Sequence, residues 1–254
     1  MTIRYLQSSG GNKLAYIHIE GDKASLPTVV FLGGYRSDME GTKALYLEGA
    51  CRARGQAFIR FDYSGHGKSG GKFEDGTIGS WTQDTLDILD RVSEGPLILV
   101  GSSMGGWIAF LCALARPLRV KGLVGIAAAP DFTTWIEADI SAGHKADLEE
   151  KGYFEVPSEY SDAPYIFTKA LLEEGRSNTL LDRGIPLDIP IRLFQGKKDT
   201  SVPWEVARRI KDAVTGEDVA ITWVEDGDHS LSRAEDLPRI RALIDEIEIK
   251  IQQA

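Results

Sequence analysis

The sequence predicts an α/β fold: a mostly parallel central sheet with helices on both faces. Two observations carry this. Short apolar runs alternate with amphipathic helical stretches along most of the chain. The chain has 254 residues, 43% of them apolar, which suits one compact domain with a large core and room for an insertion.

The elements follow in order. An early strand-like stretch holds Tyr16, His18 and Ile19. Thr28–Gly33 reads as a strand of the fully buried kind, and Ala57–Asp62 as another. Between them, Asp38–Arg54 carries Ala44, Leu45, Leu47, Ala50 and Cys51 at helical spacing. Trp81–Val92 repeats that pattern and leads to the strand Pro96–Gly101. Met104–Ala115 is a helix apolar on nearly all sides, so it should lie deep against the sheet. Val120–Ala127 is the next strand.

The rhythm then breaks. Residues 131–188 contain no βα unit, only charged helical pieces and the scattered aromatics Phe132, Trp135, Tyr153, Phe154, Tyr160, Tyr165 and Phe167. Alternation returns with the strand Ile191–Gln195, the helix Trp204–Val214, the strand Val219–Val224 and the helix Arg233–Ile251. The expected division is therefore a core of residues 1–130 and 189–254, with 131–188 inserted as a cap over the carboxyl edge of the sheet, where α/β folds bind ligands.

Composition narrows the function. Asp and Glu outnumber Lys and Arg by 38 to 29, a formal charge of −9, and no basic stripe is interleaved with aromatics, so nucleic acid is not an expected partner. Cys51 and Cys112 lack CxxC or CxxH companions, which argues against a metal cluster and for buried free thiols. No apolar run reaches the ~18 residues needed to cross a bilayer. The start Met1–Gln7 has no apolar secretory core, so a cytoplasmic protein is expected.

Gly101-Ser102-Ser103-Met104-Gly105 fits G-x-S-x-G, but so does Gly67-Lys68-Ser69-Gly70-Gly71. Context separates the two. The first ends the strand Leu97–Val100 and opens a helix at Met104, the strand–turn–helix setting of a nucleophile elbow. The second leads into Lys72-Phe-Glu-Asp-Gly76, with no helix. Ser103 is therefore the candidate nucleophile. Gly65–Gly70 also matches the dinucleotide pattern G-x-G-x-x-G, yet the glycine-rich stretch after it shows no helical period. An ordinary tight loop is the favoured reading, and a nucleotide site the alternative from another functional class.

A serine hydroxyl needs a base, and histidine titrates near neutrality. Of four histidines, His18 lies in the early strand, His66 in the glycine loop and His144 in the insertion. His229 follows the last strand, on the loop before the final helix, and is the candidate base. Asp199 follows the strand Ile191–Gln195 and is the candidate acid that orients it. Asp131, after Val120–Ala127, is the substitute, while Asp226 and Asp228 read as solvated turn residues. Two backbone N–H groups should form an oxyanion hole: Met104, directly after the nucleophile, and Tyr35 in the loop after Thr28–Gly33, with Gly34 as fallback.

The residues now on the page also carry a resemblance. The order Ser103, Asp199, His229 is that of α/β-hydrolases. The whole chain resembles that superfamily, and within it the group containing the mitochondrial palmitoyl-protein thioesterase that also cleaves acyl glucuronides. The likeness runs through Gly34-Tyr35, Gly41-Thr-Lys-Ala44, Arg60-Phe-Asp-Tyr-Ser-Gly65, Gly101-Ser-Ser-Met-Gly-Gly-Trp107, Pro157-Ser158 with Tyr160, Pro190-Ile-Arg-Leu193 and Val202-Pro-Trp204. It implies a serine esterase or thioesterase with a small cap and neither metal nor organic cofactor. The implied partner is a small-molecule acyl ester or thioester, or an acylated protein. Trp135, Tyr153, Phe154 and Phe167 are the expected walls of an acyl pocket. An inactive member of the same fold, binding a small molecule, is the non-enzyme alternative.

Overall fold

The computed structural model describes residues 2–23, 25–157 and 164–253, so Ser158 and Tyr160 of the resemblance lie outside the described residues. The chain begins with the strands β1 (Arg4–Gln7) and β2 (Lys13–Ile19), paired antiparallel. β3 (Thr28–Leu32), helix α1 (Thr42–Ala53), β4 (Phe58–Phe61), α2 (Ile78–Val92), β5 (Leu97–Ser102), α3 (Met104–Ala115) and β6 (Val120–Ile126) follow. The short helices α4 (Phe132–Ala138) and α5 (Ala142–Glu150) come next, with a hairpin of β7 (Tyr153–Val156) and β8 (Tyr165–Thr168), then α6 (Lys169–Gly175). β9 (Ile191–Gly196), α7 (Glu205–Ala213), β10 (Val219–Val224) and α8 (Asp236–Gln253) complete the chain.

Eight strands form one sheet in the order β1-β2-β4-β3-β5-β6-β9-β10. From β4 to β10 every neighbouring pair is parallel, and only β2 runs against the rest, antiparallel to both β4 and β1. The α/β class with a mostly parallel sheet is thus the fold of the protein. β3, β4 and β5 are buried at every position, as strands covered on both faces must be. Ala44 and Leu47 of α1 pack with Ile240, Ile244 and Ile247 of α8 on one face. Trp81 and Leu89 of α2, Trp107 and Phe110 of α3 and Ile210 of α7 pack on the other. α2 starts at a reciprocal cap: Thr77 accepts the Ser80 N–H while Ser80 Oγ accepts that of Thr77.

The strands and helices of the core lie within a few residues of their expected bounds. Two features differ. β1 is an edge strand with three of four residues exposed, too polar to read as an apolar run. The segment expected as helical pieces and isolated aromatics also holds the hairpin β7–β8, a sheet separate from the central one.

All four chemistry-bearing loops leave the same edge of the sheet. β3, β5, β9 and β10 are parallel, so the loops carrying Tyr35, Ser103, Asp199 and His229 converge beyond their carboxyl ends.

Candidate active site

Ser103 sits between β5 and α3 with φ 54° and ψ −120°, a left-handed conformation that a β-carbon disfavours. Its backbone is held there: Ser103 N–H donates to the Ile126 carbonyl at 2.9 Å, and Ser103 O accepts from Gly106 and Ala129. The turn has room for no neighbouring side chain. A Cβ at Gly101 would run into the Gly105 carbonyl, and one at Gly105 into that of Leu32. The glycines two before and two after the serine are therefore steric requirements.

The serine side chain meets two partners in line. His229 Nε2 is 3.1 Å from Ser103 Oγ, and His229 Nδ1 is 2.8 Å from Asp199 Oδ2. The Asp199 side chain is fully buried and pre-set: Oδ1 accepts the N–H groups of Ser201 and Val202 at 2.9 and 2.8 Å, and Gln195 Nε2 donates to Oδ2 at 3.2 Å. Gln195 escaped notice in the sequence, although its place four residues before Asp199 at a strand end was the available signal. The His229 loop is pinned to the Asp199 loop by the Lys198 N–H on the Gly227 carbonyl, and its turn is closed by Leu231 N–H on Asp228 Oδ1. An imidazole between a hydroxyl and a buried carboxylate can take the hydroxyl proton while the carboxylate stabilises the resulting imidazolium.

Two candidate oxyanion donors border Ser103. Met104 opens α3, so its N–H has no carbonyl one turn back to bond. The Gly33–Ser37 loop crosses on the other side, and a Cβ at Gly34 would lie only 3.4 Å from Ser103 Cβ. That loop is anchored at several points. Tyr63 Oη donates to Gly33 O at 3.2 Å, Ser37 N–H to Gly34 O, and Arg36 N–H to His66 Nε2 at 3.3 Å. The Tyr35 hydroxyl donates to the Ile166 carbonyl of β8, and its ring stacks on Phe167 at 5.4 Å.

A cleft of about 1030 Å³ opens over Ser103 and His229. Trp135, Phe154 and Phe167 line it, joined by Phe132, Tyr165 and His144, which stacks on Phe154 at 4.7 Å. Tyr153 does not. It is 37% exposed, whereas Phe154 is buried, because successive side chains on a strand point to opposite faces. Phe132, Trp135 and Ile136 share one face of α4, and that helical spacing was the signal that could have found Phe132.

The competing residues have other work. Ser69 Oγ donates to Asp62 O and accepts from Ala15 N–H, tying the glycine loop to β2. That loop folds onto Asp62, whose carboxylate accepts the Lys68 and Met39 amides, and no helix begins in it. It offers no phosphate cradle of the dinucleotide kind. Asp131 accepts the N–H groups of Leu180 and Leu181 at 2.8 and 2.9 Å, far from His229 in role and partners. Asp226 pairs with Arg233. Among the described residues no helix is long and apolar enough to cross a membrane, and no three metal-ligating side chains cluster.

An elbow serine at the carboxyl edge of a parallel sheet, with a histidine and an acid from later loops, defines a class. The chain belongs to the α/β hydrolase fold family, whose model matches residues 27–181. It is 38% identical over 247 residues to the mitochondrial palmitoyl-protein thioesterase ABHD10 of Bos taurus, covering 97% of this chain and 80% of that protein. The human protein of the same name is 39% identical over 235 residues, 92% of this chain and 76% of its own. The mouse alpha/beta hydrolase domain-containing protein 10 superposes with a TM-score of 0.88 at 38% identity, over 100% of this chain and 99% of that one. A crystal structure from Agrobacterium vitis S4 superposes with a TM-score of 0.94 at 42% identity, over 97% and 98%. The resemblance read from the sequence is thereby established. The expected cytoplasmic location is overturned, since these curated relatives are named as mitochondrial. It rested on the lack of an apolar leader, a feature of secretion that does not bear on import by amphipathic, Arg-rich segments.

Proposed function

We propose that this protein is a serine hydrolase that cleaves a carboxylic ester or thioester through an acyl-enzyme on Ser103. The observation that carries the reading is the hydrogen-bonded line Ser103 Oγ–His229 Nε2, His229 Nδ1–Asp199 Oδ2. His229 takes the proton of Ser103 as Oγ attacks the carbonyl carbon. The oxyanion is held by the N–H groups of Met104 and Tyr35. His229 then protonates the departing alcohol or thiol as the acyl bond breaks. Water, deprotonated by the same imidazole, attacks the acyl-serine and releases the acid, restoring Ser103.

In this reading residues 131–188 form a cap and the remainder the catalytic core. The cleft is at the upper end of the roughly 300–1,000 Å³ usual for small-molecule sites, room for an acyl chain and a leaving group together. Its wall of Phe132, Trp135, Phe154 and Phe167 is suited to an apolar acyl group. The names of the curated relatives support a thioester, including an S-acyl group on a protein, as the substrate class. The acyl-glucuronide esters implied by the resemblance are the second substrate class.

A panel of acyl-cysteine and acyl-CoA thioesters, p-nitrophenyl esters and acyl glucuronides tests this, with Ser103→Ala as blank. Turnover of the thioesters with the highest kcat/KM is expected. A protein that turns over none of them above the blank would not be a hydrolase of this class.

A further inference from the structure

The steps above make no use of Lys43, yet it lines the same cleft. It is the second residue of α1 and half-buried, and its ammonium reaches the loop that carries the base. Lys43 Nζ donates to the Ser230 carbonyl at 2.5 Å and to Ser232 Oγ at 3.2 Å. Ser232 Oγ in turn donates to the Ser230 carbonyl at 3.0 Å. Both acceptors therefore flank the peptide that immediately follows His229.

Ion pairing does not account for this placement. Among the described residues Lys43 has no carboxylate within 4 Å. Asp228 spends an oxygen on the Leu231 amide, and Asp236 is paired with Arg233. Their field favours the charged amine, but burial outweighs it and pulls Lys43 down to about 8. A cation is being desolvated here to serve two neutral oxygens, and charge-assisted hydrogen bonds are roughly twice as strong as neutral ones.

Elsewhere the His229 loop is held by the Asp199 loop through Lys198, by its own turn at Asp228, by the Asp226–Arg233 ion pair and by buried Leu231. Lys43 supplies a tether to a different element. α1 is fixed to the sheet by buried Ala44, Leu47 and Cys51, so its lysine is anchored to the core. We infer that Lys43 is a positioning residue: through Ser230 and Ser232 it sets the height of the His229 loop, keeping Nε2 within reach of Ser103 Oγ. The inference rests on His229 being the base. It concerns geometry at a reacting pair, where a displacement of about 1 Å can cost about 10²-fold in rate.

Steady-state hydrolysis of p-nitrophenyl acetate by the full chain tests it. Lys43→Met keeps a long stem and removes both hydrogen bonds. It should lower kcat by ~10–100-fold with KM within about twofold of wild type. Ser232→Ala should lower kcat by roughly 2–5-fold at unchanged KM, and the double variant should be no worse than Lys43→Met, because both lie on one path. An unchanged kcat in Lys43→Met overturns the inference, as does a rise in KM alone, which would make Lys43 a substrate-binding residue. Should Lys43→Met not fold, Ser232→Ala decides, and an unchanged kcat there overturns it equally. His229→Ala, measured alongside, separates the two levels. An active His229→Ala removes the base assignment itself, whereas an inactive one beside an unaffected Lys43→Met removes only the positioning role.

Discussion

Asp199 Oδ2 lies 2.8 Å from His229 Nδ1, while Asp199 Oδ1 is already committed to the Ser201 and Val202 amides. The carboxylate is thus oriented by its own loop, independently of the imidazole it serves. Such a carboxylate selects the imidazole tautomer with the proton on Nδ1, which leaves Nε2 free to accept from the serine. Asp199→Asn keeps the shape but breaks this selection, and kcat should fall by ~10⁴-fold.

Asp131 is the control for that experiment. Its carboxylate caps the Leu180 and Leu181 amides, tying the segment after α6 to the end of β6. Asp131→Asn should lower the free energy of unfolding by about 1–3 kcal/mol and leave kcat within a few-fold of wild type. Denaturant titration and ester hydrolysis on the same preparation check both. A kcat loss matching that of Asp199→Asn would return the acid assignment to Asp131.

The acyl wall makes a paired prediction. Phe154 faces the cleft and Tyr153, its neighbour in β7, faces away. Phe154→Ala should raise KM for an octanoyl ester by roughly 10-fold relative to an acetyl ester, the scale of lost apolar contacts in a pocket. Tyr153→Ala should change the ratio by less than about twofold. Equal effects of the two substitutions would mean that the hairpin does not form the wall.

A pH effect on stability follows from His66. It is buried, its Nδ1 3.2 Å from Ser64 O and its Nε2 accepting the Arg36 N–H, an arrangement that requires the neutral ring. Burial lowers its pKa from 6.5 to about 4. The folded value is below the unfolded one, so the unfolded state binds the proton first. The stability from the neutral ring is complete above pH 6.5 and is lost as pH falls toward 4, on the order of 3 kcal/mol in all. Thermal melts of wild type should decline over that window more steeply than those of His66→Gln. Parallel curves would remove His66 as the cause.

Much of this was legible in the residues. β3, β5 and β6 read cleanly because strands buried on both faces are apolar at nearly every position. The elbow was readable from its place between Val100 and Met104, not from its glycines, since Ser69 has the same ones. Asp199 and His229 were readable as residues following their own strands. The hairpin was not, because four-residue strands give only two alternations, and Tyr153 was placed in the pocket for want of that period. The tethers at Lys43 and the Tyr35 hydroxyl join residues far apart in the chain, and no local pattern announces them.

The central claim is that Ser103 is a nucleophile activated by its neighbours. Labelling the native protein with a fluorophosphonate and mapping the adduct by peptide mass tests it most directly. The account predicts one adduct, on the peptide containing Ser103, absent in Ser103→Ala and slowed by ~10³-fold or more in His229→Ala. An adduct on Ser69, or none on the folded wild-type protein, would contradict it.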